Sequence, residues 1–262
     1  MNRVATAIGL IALALYLVFL APNLVFAAAA LTMSLLCYRE YAALVVAHRI
    51  PSPSWIGALG GIYILFGPQL APQHGDPLAV LALFSVIVFV AALRNSDLTG
   101  MLPKVSCTVL GALYTFAPWR FSIDLRKESV HLLFFALALN WAGDSLAFYT
   151  GRRFGKHRLA PVISPKKSWE GAIASVAGSV LFAVFYLGHF IPYLSWWKVV
   201  GLAAAGNVAG QFGDLAESAI KRGAGVKDSS NLLPGHGGML DRVDSNLFTL
   251  PVVAVLYWSI VK

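Results

Sequence analysis

The stretch VHLLFFALALNWAGDSLAFYTGRRFGK, Val130–Lys156, decides the fold. Its first 20 residues, Val130–Tyr149, are predominantly apolar and match the roughly 20 that a helix needs to cross the hydrocarbon core of a bilayer. Arg152, Arg153 and Lys156 then end the run. Asn140 and Asp144 stand four residues apart within it, so they share one helix face as the segment approaches its basic end.

Working outward, comparable runs recur at Val4–Leu20, Leu24–Tyr38, Pro77–Leu93, Ala172–Ile191, Val199–Leu215 and Leu247–Val261, with weaker ones at Ile56–Leu70 and Val105–Pro118. Composition agrees: 58% of the 262 residues are hydrophobic and 12% charged, with mean hydropathy +0.71, against roughly 25% charged in a soluble domain. The expectation is an all-α, polytopic integral membrane bundle of about nine transmembrane helices. Val4–Leu20 has the length of a signal peptide, but "APN" at Ala21–Asn23 leads straight into another apolar run, which predicts a retained helical hairpin. The organisation expected is one membrane domain, with N-terminal helices over 1–128 and a catalytic region with cytoplasmic loops over 129–262. Cys37 and Cys107 both lie in apolar runs and offer neither a disulfide framework nor a cysteine metal site.

Alternating sides from the N-terminus leaves Arg120, Arg126, Lys127, Lys198 and Lys262 on one face and the other 15 of the 20 basic residues on the opposite one. The positive-inside rule makes the basic face cytoplasmic, with the N-terminus in and the C-terminus out. A pI near 9.6 is then explained by short basic loops beside anionic lipid rather than by nucleic acid, for which there is no motif.

Asn207, Gln211, Asp214 and Ser218 fall at i, i+4, i+7 and i+11, one polar stripe along the eighth predicted helix. A carboxylate within a span marks a site by default, which singles out Asp214. For Asn207 and Gln211 a buried helix–helix hydrogen bond is an equal alternative. Between the sixth and seventh helices, Gly151–Gly171 carries six basic residues. There Ser164 and Pro165 read as an N-cap and first helical position, which would put Lys166 and Lys167 in a helix's first turn. Cations oppose the dipole there unless a phosphate sits over the turn.

The most polar segment is SAIKRGAGVKDSSNLLPGHGGMLDRVDS, Ser218–Ser245. Lys221, Arg222 and Lys227 supply phosphate-binding charge, Gly235, Gly237 and Gly238 allow close backbone approach, and Asp228, Asp241 and Asp244 supply hard oxygen ligands. Oxygen donors mixed with cations suit a magnesium–nucleotide site; zinc would draw more His or Cys. Taken singly, Asp241 in the first turn of the ninth helix also reads as a dipole partner, and His236 as a loop residue.

The combined spacing of Ser218, Ile220, Lys221, Arg222, Lys227, Asp228, Ser230, Leu233, Pro234, His236, Gly237, Gly238, Asp241, Arg242, Val243 and Asp244 resembles the signature of phosphatidate cytidylyltransferases. The upstream block GDSLAFYTGRRFGKHRLAPVISPKKSWEG is similar to that family's second block, with Ser168 where threonine is more usual; the resemblance covers roughly residues 140 to 246. It implies a magnesium-dependent transfer of CMP from CTP to phosphatidate at the cytoplasmic face of a bacterial-type inner membrane, with room for more than one metal ion and for a homodimer. It implies metal ligation by Asp214 and Asp241, catalytic roles for these two with Lys227, Asp228 and Asp244, and substrate contacts from Asp144, Lys166, Lys167, Ser218, Lys221, Arg222, His236, Gly237, Gly238 and Arg242. The 26 residues between Asp214 and Asp241 would loop to bring the two together. The rival expectations are another CTP-using lipid enzyme, such as a polyprenol kinase, and a transporter whose path follows the Asn207–Ser218 stripe.

Overall fold

A computed structural model describes residues 2–70, 76–94, 98–233, 235 and 237–261. Pro234 and His236 of the signature lie outside the described residues. Among the described residues there are nine α-helices and one small hairpin.

Helix α1 (Asn2–Leu15) runs on as a π-helical turn, Tyr16–Leu20, and the chain turns through extended Ala21 and Pro22 into α2 (Asn23–Ala47). Arg126 closes that junction: it donates to the carbonyls of Val18 (3.0 Å) and Ala21 (2.5 Å) and to Asn23 Oδ1 (2.8 Å), covering acceptors a helix end leaves unpaired. Next come α3 (Trp55–Leu70), α4 (Pro77–Ala92), α5 (Met101–Glu128) and α6 (Val130–Phe154). Asp76 caps α4 by accepting from Leu78 N, with Pro77 in the first turn; Ser129 ends α5 and caps α6.

The loop after α6 folds into an antiparallel hairpin, β1 (Arg158–Ala160) and β2 (Ser164–Ser168), before α7 (Trp169–Phe190), α8 (Trp196–Gly223) and α9 (Leu240–Val261). This corrects the expected helix start at Ser164. Ser168 is the N-cap of α7, its Oγ accepting from Gly171 N at 3.2 Å. Lys166 and Lys167 therefore lie on a strand, and their conflict with a helix dipole does not arise.

The strongest packing joins α6 to α7, α8 to α9, α3 to α5 and α7 to α8, while α5 also packs on α2, α4, α6 and α9. Because α5 reaches both halves of the chain, one core runs through it, with Phe116, Leu132, Phe135, Leu139 and Leu250 fully enclosed. Cys37 is part of that core filling. Among the described residues four helices, α2, α6, α7 and α9, are long and apolar enough to cross a membrane, and shorter apolar helices accompany them. With large apolar side chains such as Leu24 and Phe185 facing outward, the chain is an integral membrane protein.

Contacts between distant segments sort onto two ends of the bundle. At one, Arg126 meets the Val18–Asn23 junction, Tyr193 bonds Tyr257 and Lys198 bonds the Ile260 carbonyl. At the other, His48 bonds the Ile220 carbonyl, the hairpin meets α8, and α2 meets the start of α9.

Candidate active site

The polar stripe on α8 divides into a structural part and an open part. Asn207 donates to Ser175 Oγ (3.1 Å) and Ser179 Oγ (2.8 Å) on α7 and accepts from Gln211 Nε2 (2.7 Å), which also donates to the Ala172 carbonyl. Asn140 on α6 donates to Thr249 Oγ1 on α9, which in turn donates to the Gly206 carbonyl. These three amides are thus helix–helix hydrogen bonds, the bland alternative for Asn207 and Gln211. Gly143 lets α6 come close: a Cβ there would run into Asn207, Ser175 and Ser179.

One turn further along α8, Asp214 Oδ2 takes an ion pair from Lys167 Nζ at 2.6 Å, with both side chains about a third exposed, and Ser218 Oγ donates to its Oδ1 at 3.3 Å. The hairpin therefore carries Lys167 to the aspartate that the sequence singled out. Between α6, α7 and the hairpin lies a cavity of about 200 Å³ lined by Asp144, Phe148, Lys166, Lys167, Ser175 and Gln211. Asp144 and Asp244 lie within electrostatic range of Asp214, and Asp244 also feels Lys167 and Lys221.

The second group is built on the last turns of α8 and the first of α9. Lys221, expected on a substrate phosphate, is buried, and its Nζ pairs with Glu217, one turn back, and with Asp241 Oδ1 at 2.5 Å. Its reach is taken up by protein carboxylates. Asp241 Oδ2 accepts from Ser229 N (2.9 Å), Ser229 Oγ (2.9 Å) and Gly238 N (2.7 Å). The chain between turns back through Gly235 and Gly237, at φ 74° and 79°, and Leu233 N bonds the Gly237 carbonyl. A left-handed backbone at both points explains why glycine stands there. Arg222, Lys227, Asp228 and Arg242 are exposed at the same end, and Arg222 donates to the Val226 carbonyl.

Two acidic residues absent from the sequence candidates complete the picture. Glu217 is fully enclosed, and Glu40 on α2 is 5% exposed while accepting from both sides of the signature loop. The cue for Glu40 was a carboxylate just past the end of an apolar run; for Glu217 it was a carboxylate four residues before Lys221.

The donor set favours a hard cation. Glu40, Glu217, Asp214, Asp241 and Asp244 are buried or partly buried there, against Lys167 and Lys221 as their close cationic partners. Such an excess of carboxylate oxygen suits magnesium. Among the described residues no three His, Cys, Asp or Glu side chains already converge on one point.

A sequence model of the cytidylyltransferase family matches residues 1–260. The chain belongs to that family. It is 32% identical over 231 residues to a phosphatidate cytidylyltransferase of Staphylococcus aureus, with 86% of each chain covered. Proteins of the same name from Staphylococcus saprophyticus and Staphylococcus epidermidis are 31% identical over 226 and 229 residues, covering 86% and 87% of each chain. The family match runs well beyond residues 140 to 246 and takes in the N-terminal helices.

Proposed function

We propose that this chain transfers CMP from CTP to phosphatidate, leaving CDP-diacylglycerol in the membrane and releasing pyrophosphate. The observation that carries the reading is the meeting of the Lys166–Lys167 hairpin, Asp214 and the Ser218–Asp244 loop at one end of a membrane bundle.

A phosphate oxygen of the lipid attacks the α-phosphorus of CTP as the bond to the bridging oxygen of the β-phosphate breaks, and pyrophosphate departs with that electron pair. The attacking oxygen is an anion at neutral pH. The residues therefore work by positioning and charge neutralisation, with little need for a general base. Lys166 and Lys167 on the cavity wall face the nucleotide phosphates, and exposed Arg222, Lys227 and Arg242 add charge at the loop. Asp144, Asp228, Asp244, Ser218, His236, Gly237 and Gly238 organise the substrates around them.

Asp214 and Asp241 would hold magnesium, which when bound would supply neutralisation of the charge developing on the transferred phosphoryl group. For Asp241 the support is its asymmetry: donors from Ser229 and Gly238 fix Oδ2, while Oδ1 faces the Lys221 ammonium with the Glu217 carboxylate close by. A carboxylate oriented by hydrogen bonds on one oxygen is a prepared ligand on the other.

The chain crosses the inner membrane nine times, with the N-terminus and the site on the cytoplasmic side. Support comes from the basic-residue asymmetry and from the alternation of helix contacts between the two ends. A transporter is not favoured, because Asn207 is buried and bonds Ser175 and Ser179 of the neighbouring helix, so the stripe is taken up by packing at that point.

The test is purified protein with magnesium, phosphatidate and CTP labelled at the α- or the γ-phosphate. Label from the α-position should enter lipid. Label from the γ-position in lipid would make the enzyme a kinase, and no labelled lipid from either would overturn the reading.

A further inference from the structure

The N-terminal half meets the signature loop through one carboxylate. Glu40 Oε1 accepts from Ser230 Oγ (2.7 Å) and Met239 N (2.9 Å), and Oε2 accepts from Ser229 Oγ (2.9 Å) and Leu240 N (2.7 Å). Each oxygen therefore joins a serine at the start of the loop to an amide at the start of α9. Amides at a helix start lack partners within the helix, and negative charge is favourable there, so α2 supplies the N-terminal cap of α9. The fit is close: a Cβ on Gly238 would run into Ser229 Oγ and the Glu40 carboxylate.

Asp241 grips the same segment from the other side, through Ser229 and Gly238 N. The Ser229 hydroxyl lies 2.9 Å from both carboxylates, so they share its single proton. The aim of the Asp241 carboxylate thus depends on Ser229 and Gly238, and their places depend on Glu40.

We propose that Glu40 is a positioning residue for the transfer reaction: it clamps Ser229, Ser230 and the first residues of α9 so that Asp241 and the glycines before it keep their working geometry, and it touches neither substrate. The inference rests on the reading above only where turnover is measured. Its geometric content, a clamp on Ser229 and residues 238–240, can be read separately by amide exchange.

Glu40→Gln keeps the shape but leaves one acceptor oxygen for four donors; Glu40→Asp keeps the charge but shortens the reach. Amide exchange by mass spectrometry and steady-state kinetics, normalised to folded protein, are measured on both. Exchange over 229–240 should accelerate in each variant, kcat should fall about tenfold or more, and the magnesium concentration for half-activation should rise by about as much, the size expected for support of a metal ligand. KM for CTP should move much less than kcat. Near-normal kcat with a loosened loop, or lost kcat with unchanged exchange, would each overturn the proposal. Full activity in Glu40→Asp would reduce the role to charge alone and overturn it too. If neither variant folds, Ser230→Ala removes one bond and leaves the buried carboxylate in place; it should show the same pattern at smaller amplitude, and no change in exchange or kcat sinks the idea. Absence of lipid product from the wild-type protein would refute the functional reading, while the exchange arm would still decide the clamp.

Discussion

Replacing Lys221 by methionine removes one ammonium from between two enclosed carboxylates and keeps a side chain of similar length. Lys221 is 8% exposed and Glu217 fully enclosed, and the Asp241 side chain is 4% exposed. Breaking a buried pair by removing one partner costs about 3 to 5 kcal/mol, because a charge is left without compensation. The burden falls unequally. Asp241 keeps the donors of Ser229 and Gly238, whereas Glu217 has its close pairing with Lys221 and otherwise faces the Asp241 carboxylate. Most of the destabilisation should therefore be relieved by removing Glu217 as well.

At about 2 to 4 °C per kcal/mol for a chain of this size, Lys221→Met should lower the melting temperature in detergent by roughly 6 to 20 °C. Lys221→Met combined with Glu217→Leu should recover more than half of that, since an apolar pair replaces a buried ionic one at little net cost. Turnover should stay low in both, because Asp241 has lost the cation on its Oδ1. The measurements are thermal unfolding followed by tryptophan fluorescence and CMP transfer per folded molecule. A single mutant that melts within about 2 °C of wild type, with only KM for CTP raised, would show that Lys221 meets substrate and refute the reasoning.

Asp214→Asn and Asp241→Asn keep the side-chain shape but remove the charge that a hard cation needs, so each should cut magnesium-dependent turnover by more than the roughly 10- to 100-fold typical of residues that only support a ligand. The double variant should add little to either, and near-normal activity in both single variants would dissolve the paired assignment. Lys167→Ala should lower kcat/KM for CTP roughly tenfold or more, the loss of a charge-assisted contact of about 1.5 to 3 kcal/mol, with melting nearly unchanged; an unaltered rate across CTP concentrations would return Lys167 to topology alone. Single cysteines at Lys166 and Asn231, in a chain lacking Cys37 and Cys107, should both react with an impermeant reagent only from the cytoplasmic side, and labelling from opposite sides would separate hairpin and loop.

What was legible in the sequence was what depends on period and run length. Apolar runs marked the helices, and the spacing Asn207–Gln211–Asp214–Ser218 marked one face of α8, realised in the Gln211–Asn207 and Ser218–Asp214 hydrogen bonds. The hairpin was missed because Ser-Pro suits a strand as well as a helix start, and three residues decide between them. Two lysines in a first turn were the warning. A start at Ser168 removes the conflict and puts Glu170, with the favourable sign, at the dipole. Glu40 was invisible as a partner, since its bonds span 189 to 200 residues and no local pattern records them. Lys221 was legible as a charge but not as a buried one, because burial is decided by how α8 and α9 come together.

That last difference gives the two lysines different work. Each reaches a carboxylate at the same end of the bundle, Lys167 at 2.6 Å and Lys221 at 2.5 Å, so distance alone does not distinguish them. Solvent does: the side chains are 29% and 10% exposed, and their aspartates 35% and 4%. A pair open to water is worth about 1 kcal/mol or less, so a nucleotide phosphate competes readily for Lys167, and a cation competes as readily for Asp214. Lys221 cannot be drawn away on those terms, since its departure would strand Glu217. The exposed pair is therefore the one that substrate and metal can separate, whereas at Asp241 a metal would have to share Oδ1 with Lys221, which stays in place.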